Sequence, residues 1–211
     1  MIDEKLLNYL HKKLPESEPF FKEMEQYARE HKVPIMDAYS MEMVVMLLKI
    51  MRPKNILEIG TAIGYSALRM NDATGANIVT IERDEDRYML AESFIAQKNK
   101  QDQITIIKGD ALEVADEIAA YAPFDCLFID AAKGQYQRFF ETYTHLLSDH
   151  SVIITDNVLF KGYVYSDKGE NKRLQKLGQK IDRYNDWLVH HPDYHTIILP
   201  VGDGVAISTK K

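Results

Sequence analysis

An α/β fold, wound on both faces of a mostly parallel seven-stranded sheet that ends in an antiparallel hairpin, is what this sequence predicts. Three features carry the prediction. Short apolar runs recur from residue 55 to residue 209, helix-length segments separate the first five, and only "PVGDG" separates the last two. Strands that alternate with helices build a parallel sheet with both faces covered, because each crossover helix must lie on one face or the other. A spacer of hairpin length leaves no room for a crossover, so the last pair is antiparallel.

The elements follow in order. Residues 1–50 read as helical, broken at "PESEP" (15–19) and "KVPIMD" (32–37). The strands are then "NILEI" (55–59), "NIVTIE" (77–82), "QITIIKG" (103–109), "FDCLFID" (124–130), "SVIITD" (151–156), "YHTIIL" (194–199) and "GVAIST" (204–209). Between them lie helical segments such as "DEDRYMLAESFIAQKN" and "GQYQRFFETYTHLL". Residues 1–211 read as one domain, with 1–50 a helical segment packed on it.

Composition narrows the function classes. The chain is 45% hydrophobic and 27% charged, with a formal net charge of −6, so it is not a generic nucleic-acid binder and no DNA partner is expected. The single cysteine, Cys126, excludes an intrachain disulfide and a cysteine-based zinc site; within "FDCLFID" it reads as a buried core thiol. The start has no apolar signal core and no run reaches the length of a membrane span, so a cytoplasmic protein without a membrane partner is expected.

In a doubly wound sheet, ligands sit beyond the carboxyl ends of the strands. After the first strand come Gly60 and Gly64, at the second strand's end Glu82, after the third Asp110, and after the fourth Asp130. Glycines let a backbone approach a ligand, and a carboxylate about 20 residues on accepts from two ribose hydroxyls. "GTAIGYS" is neither G-x-G-x-x-G nor a phosphate loop, so a nucleoside without a bound phosphate fits better than a dinucleotide. A tight strand–helix turn with no ligand is the bland alternative.

Six stretches, "ILEIGTAIGYSALRM", "TIERDEDRY", "IKGDALE", "FDCLFIDAAKGQY", "VIITDNVLFKG" and "ILPVGDGVAIS", resemble the metal-dependent O-methyltransferases that use S-adenosylmethionine, the catechol and caffeoyl-CoA type, over about residues 33–211. The resemblance implies a Rossmann-like class I methyltransferase fold and S-adenosylmethionine as the loop's ligand. It implies that Glu58, Gly60, Gly64, Tyr65 and Ser66 line the methionine end, Glu82 holds the ribose, Asp110 and Ala111 flank the adenine, and Met36 closes over the site. Asp130 borders the same ligand.

Asp130 and Asp156 end neighbouring strands, and Asn157 follows. Carboxylates on strands about 4.8 Å apart can converge on one ion. An all-oxygen set without His or Cys suits Mg²⁺, with Mn²⁺ as an alternative, and not zinc or copper. By the resemblance, Lys133 sits beside the metal and assists deprotonation of the acceptor hydroxyl, Asp130 sharing the catalytic centre. A dication acidifies a hydroxyl and a nearby lysine steadies the oxyanion or takes the proton. A cofactor-binding module without catalysis is a third class of reading, against which the set of Asp130, Lys133, Asp156 and Asn157 argues.

The acceptor is read from two departures and one helix. "DAAK" has alanines where the animal catechol enzymes are bulky, and "TIILPVGDG" lacks the acidic residue those enzymes carry before the final "DG". Both disfavour a simple catechol. In residues 171–191, Leu174, Leu177, Ile181, Tyr184 and Leu188 share one helical stripe, while Lys172, Arg173, Lys176, Lys180, Arg183 and Trp187 fall in another arc. A basic stripe with an aromatic suits an RNA backbone. Lys161, Lys168, Lys172, Arg173 and Lys176 are expected nearest the cleft, with Lys180 and Arg183 more distal. The "NKR…NDWL…HP…ILPVGDG" tail resembles the bacterial tRNA 5-hydroxyuridine methyltransferases, which implies a tRNA anticodon loop as substrate and a homodimer. A small vicinal diol is the alternative acceptor.

Overall fold

The central strands are apolar at nearly every position, so they are buried on both faces and must be flanked by helices on each side. The computed structural model describes residues 4–166 and 171–211. It begins with three helices, α1 (Glu4–His11), α2 (Pro19–His31) and α3 (Ala38–Met51). The alternating part follows: β1 (Asn55–Ile59), α4 (Tyr65–Thr74), β2 (Asn77–Glu82), α5 (Glu85–Gln97), β3 (Ile104–Lys108), the single-turn α6 (Ala115–Ile118), β4 (Phe124–Ile129), α7 (Tyr136–Tyr143) and β5 (Leu147–Asp156). The chain ends with α8 (Lys172–Val189), β6 (Tyr194–Leu199) and β7 (Val205–Lys210).

The strands are ordered β3-β2-β1-β4-β5-β7-β6, parallel through the first five, with β7 antiparallel to both β5 and β6. This is the predicted architecture. The direction of winding reverses between β1 and β4, which is where such sheets open a crevice for ligands. Alternation along each strand sorts side chains into two cores. Ile56, Ile78, Cys126, Phe128 and Ile154 face α2 to α5. Leu57, Ile59, Ile81, Leu127, Ile129 and Ile153 face α6 to α8. Cys126 is fully buried, as expected.

One strand is longer than the sequence suggested. β5 starts at Leu147, four residues before its apolar run, because Leu147 pairs with Phe124 across a register shift. Those added residues, "LSDH", are partly exposed and so carry no apolar signal. Among the described residues no helix is long and apolar enough to cross a membrane.

Candidate active site

The turn from β1 into α4 is shaped by contact with the next strand over. Gly60 has φ +104° and lies against the Asp130 backbone, where any Cβ would collide with the Asp130 carbonyl. The two sequence positions expected around one ligand are thus in direct backbone contact. Gly64 (φ +83°) caps α4 and packs on Ala91 of α5.

A cavity of about 650 Å³ opens over the carboxyl ends of β1 to β4. Met36, Gly60, Tyr65, Ser66, Glu82, Asp110, Ala111, Asp130, Lys133 and Asn157 border it. Glu82 is fixed by three backbone N–H groups: Ala62 donates to Oε2 at 2.9 Å, Arg83 and Asp84 to Oε1 at 3.0 and 2.9 Å. Asp110 accepts from the Leu112 N–H at 2.9 Å, and its other oxygen lies 3.8 Å from Arg83. Both carboxylates retain lone pairs that face the cavity.

Glu58 lies one layer deeper. It is fully buried in β1 and accepts hydrogen bonds from the hydroxyls of Ser66 and Thr80, the latter at 2.6 Å; Thr80 in turn is 2.6 Å from the Thr61 hydroxyl. Burial outweighs these bonds and pushes its carboxyl up to about 7, with Asp130 and Glu82 adding repulsion. It meets the cavity through Ser66. Tyr65 joins the cavity wall to the N-terminal helices: its hydroxyl donates to Glu25 of α2 at 2.8 Å and accepts from Arg69.

Asp130, Asp156 and Asn157 come together at the ends of β4 and β5. The Asn157 amide donates to Asp156 Oδ2 at 2.5 Å and to Asp130 Oδ1 at 3.3 Å. Burial raises the carboxyl of Asp130, and burial plus the charge of Asp130 raises that of Asp156 well above the usual range. Lys133 stands beside them with its ammonium 5.9 Å from the Phe160 ring centre. Burial pulls its pKa down, against the opposing pull of Asp130, Asp156 and Asp203. Among the described residues no group of three or more His, Cys, Asp and Glu could hold a metal; the set here is two carboxylates and an amide.

The turn between β6 and β7 braces both walls. Asp203 accepts from the backbone of Leu159, Phe160 and Lys161, and Gly202 sits against Asp37 and Ser40 at the start of α3. Asn157, Phe160 and Lys161 all have positive φ, so the segment after β5 is held in a costly conformation by this turn.

The chain matches the O-methyltransferase family over residues 12–211. It belongs to that family. A caffeoyl-CoA O-methyltransferase of Arabidopsis thaliana is 30% identical over 203 residues, covering 92% of this chain and 77% of the relative. A catechol O-methyltransferase of Niastella koreensis is 31% identical over 134 residues, 62% of this chain and 61% of the relative. A Staphylococcus aureus protein, provisionally named a caffeoyl-CoA O-methyltransferase, has a crystal structure that superposes with a TM-score of 0.89 at 38% identity, covering 98% of each chain. An O-methyltransferase from Bacillus cereus, solved with S-adenosylhomocysteine, superposes at 0.82 with 28% identity over 97% of this chain and 96% of its own. This O-methyltransferase is therefore S-adenosylmethionine-dependent and has the Rossmann-like methyltransferase fold.

The basic arc of the O-methyltransferase's α8 differs from expectation in two places. Lys172, Arg173 and Lys176 are exposed, as is Lys161, and Lys168 lies outside the described residues. Lys180, expected to be distal, borders the cavity together with Leu177. Trp187 is not an open stacking platform: it packs edge-on to Phe140 at 5.1 Å, near-parallel to Tyr184 at 5.9 Å and against His191 at 4.9 Å. The apolar stripe is as predicted, with Ile181, Tyr184 and Leu188 buried. Sequence reading also passed over Thr80, a buried hydroxyl inside the apolar run "NIVTIE"; a polar residue at a core-facing position was the available signal.

Proposed function

We propose that this O-methyltransferase transfers the methyl group of S-adenosylmethionine to the 5-hydroxyl of 5-hydroxyuridine at the wobble position of tRNA, giving 5-methoxyuridine. The observation that carries the reading is the row of exposed cations on α8, Lys172, Arg173 and Lys176, which leads along one helix to the cavity edge at Leu177. Cations one helical turn apart are spaced to neutralise successive phosphates of a single strand. The sequence resemblance of the C-terminal tail points the same way.

The residue roles rest on the sequence resemblance, and the chemistry of the cavity is consistent with them. S-adenosylmethionine supplies a methyl group on a positively charged sulfur. Glu82, with lone pairs left over from its three backbone donors, accepts from the ribose hydroxyls, and Asp110 and Ala111 flank the base. Gly60 permits close approach, Tyr65 and Ser66 border the methionine end, Glu58 acts there through Ser66, Gly64 sets the start of α4, and Met36 excludes water. Asp130, Asp156 and Asn157 fit a hard divalent cation, Mg²⁺ or Mn²⁺. Their donors are oxygens once the Asn157 amide turns over, and two crowded, buried carboxylates with raised pKa values call for a positive charge between them. A cation there lowers the pKa of a neighbouring hydroxyl. Lys133, its own pKa lowered by burial, accepts that proton or steadies the oxyanion, and Asp130 orients it. Positioning and electrostatics then account for most of the rate. A homodimer belongs to the same reading, with exposed Leu6, Tyr9, Met46 and Ile50 on α1 and α3 as contact area.

The test is mass spectrometry of tRNA nucleosides from cells with and without the protein. Loss of 5-methoxyuridine with accumulation of 5-hydroxyuridine is expected; unchanged 5-methoxyuridine overturns the RNA reading. The second reading, a small catechol-like diol as acceptor, is favoured by the names of the catechol and caffeoyl-CoA relatives. Transfer to a free catechol with no transfer to tRNA would establish it instead.

A further inference from the structure

We propose that Lys180, on α8, is a cofactor-binding residue that donates to a ring nitrogen of the adenine of S-adenosylmethionine. Lys180 and Leu177 border the same cavity as Glu82, Asp110 and Ala111. The approach runs over Gly134: a Cβ built there would lie 3.9 Å from Lys180 Cδ and 4.0 Å from its Nζ. Ala131, Ala132 and Gly134 are the small residues of the loop that borders the cavity beside α8, alongside Lys133 and Gln135.

The helix cannot drift away from this position. Gly178, in the same turn as Lys180, is so close to the Tyr163 carbonyl that a Cβ would come within 2.5 Å of its oxygen. Asn185 donates to the Val158 carbonyl at 2.8 Å, and the Tyr184 hydroxyl is 3.0 Å from that of Thr155 in β5. Lys180 itself has no ion-pair partner among the described residues.

The chemistry of that end of the cavity selects the ligand. Among its polar lining the cavity has apolar surface from Ala111, Leu112, Phe139 and Leu177, which suits the faces of a flat heteroaromatic ring. Charged groups of both signs line the cavity here: Asp110, with Arg83 3.8 Å away and Arg87 in the same wall, and, from α8, Lys180. A carboxylate alone would favour a cation and a lysine alone an anion. The pair favours a neutral base that has both a donor and acceptors on its rim. Adenine has these, an exocyclic amine for Asp110 and ring nitrogens for Lys180. The assignment is independent of the acceptor, so it stands whether the methyl group goes to RNA or to a small diol.

The experiment is calorimetric titration of S-adenosylhomocysteine, and of its 1-, 3- and 7-deaza analogues, into the wild type, Lys180→Met and Lys180→Arg. Methionine keeps the length of the side chain and its helix preference at an exposed site. Lys180→Met should weaken S-adenosylhomocysteine about tenfold, the effect of losing one hydrogen bond from a charged donor. Lys180→Arg should recover most of it. One of the three analogues should lose a similar factor on the wild type and nothing further on Lys180→Met, which a mere displacement of α8 would not produce. Equal affinity of wild type and Lys180→Met overturns the proposal. So does equal loss with all three analogues on both proteins. Unchanged cofactor affinity with weakened tRNA binding would also overturn it, assigning Lys180 to the outward basic row.

Discussion

Glu58→Gln tests whether one buried carboxylate gives this fold a pH-dependent stability. Glu58 is fully buried, and its pKa lies at about 7 where an exposed glutamate has 4.5, chiefly because burial disfavours the charged form. Between those values the folded state holds a proton that the unfolded state has released. Stability is therefore fully present below the unfolded pKa and is lost as pH rises through the folded one. The full shift corresponds to about 3 kcal/mol above pH 8, of which about 1 kcal/mol is already lost at pH 5. Glutamine removes the charge and keeps the shape. Its oxygen can accept from Ser66, and its amide can donate to Thr80, whose hydroxyl then turns to donate to Thr61 2.6 Å away. Urea unfolding of both proteins from about pH 5 to about pH 8 reads the difference. The two should agree within about 1 kcal/mol at the acid end, with the glutamine form more stable by about 3 kcal/mol at the basic end. A separation that stays constant across the range, or a wild type that is the more stable at pH 8, refutes the buried-carboxylate account.

Gly178→Ala should destabilise by about 1–3 kcal/mol in thermal or urea unfolding, although alanine is the better helix former by about 1 kcal/mol, because the new methyl meets the Tyr163 carbonyl. A gain in stability would show that α8 can lift from that loop at no cost. Asp156→Ala should abolish methyl transfer and leave S-adenosylhomocysteine affinity within about threefold on calorimetric titration, whereas Glu82→Ala should lose cofactor affinity severely. Matching losses in the two variants would dissolve the division between metal and cofactor residues. EDTA should stop transfer by the wild type and Mg²⁺ or Mn²⁺ restore it; activity that survives exhaustive chelation argues against the cation. Replacing Lys172, Arg173 and Lys176 together by alanine should weaken tRNA binding and reduce its salt dependence, by about one unit of slope for each phosphate no longer neutralised. An unaltered rate on tRNA across a salt series would show this helix face to be merely solvated.

Most of the fold was legible because burial on both faces leaves a plain trace: β1, β2 and β6 occupy the ranges their apolar runs predicted. The strand order was not legible, since any of several windings buries the same residues; it is set by which helix covers which face. The candidate site divides along a similar line. Residues placed at strand ends, Glu82, Asp110, Asp130 and Asp156, could be found by position alone, because the carboxyl ends of parallel strands share one edge. Glu58 and Lys180 show what position alone misses. Alternation along β1 sends Glu58 to the same face as Ile56, toward α4, so it sits beneath the cavity wall with Thr80 as a partner that only the pairing of β1 with β2 supplies. Helical periodicity put Lys180 on the outward arc of α8, and that is correct for the isolated helix. What periodicity cannot show is that the outward arc at this turn overlooks a loop with small residues on either side of Lys133, Ala131, Ala132 and Gly134, which also border the cavity. A helical wheel distinguishes core from not-core. Whether the second category means solvent or a binding site depends on the size of the side chains on a different segment, so the alanines of "DAAKG" and the lysine of α8 acquire a common meaning only in the folded chain.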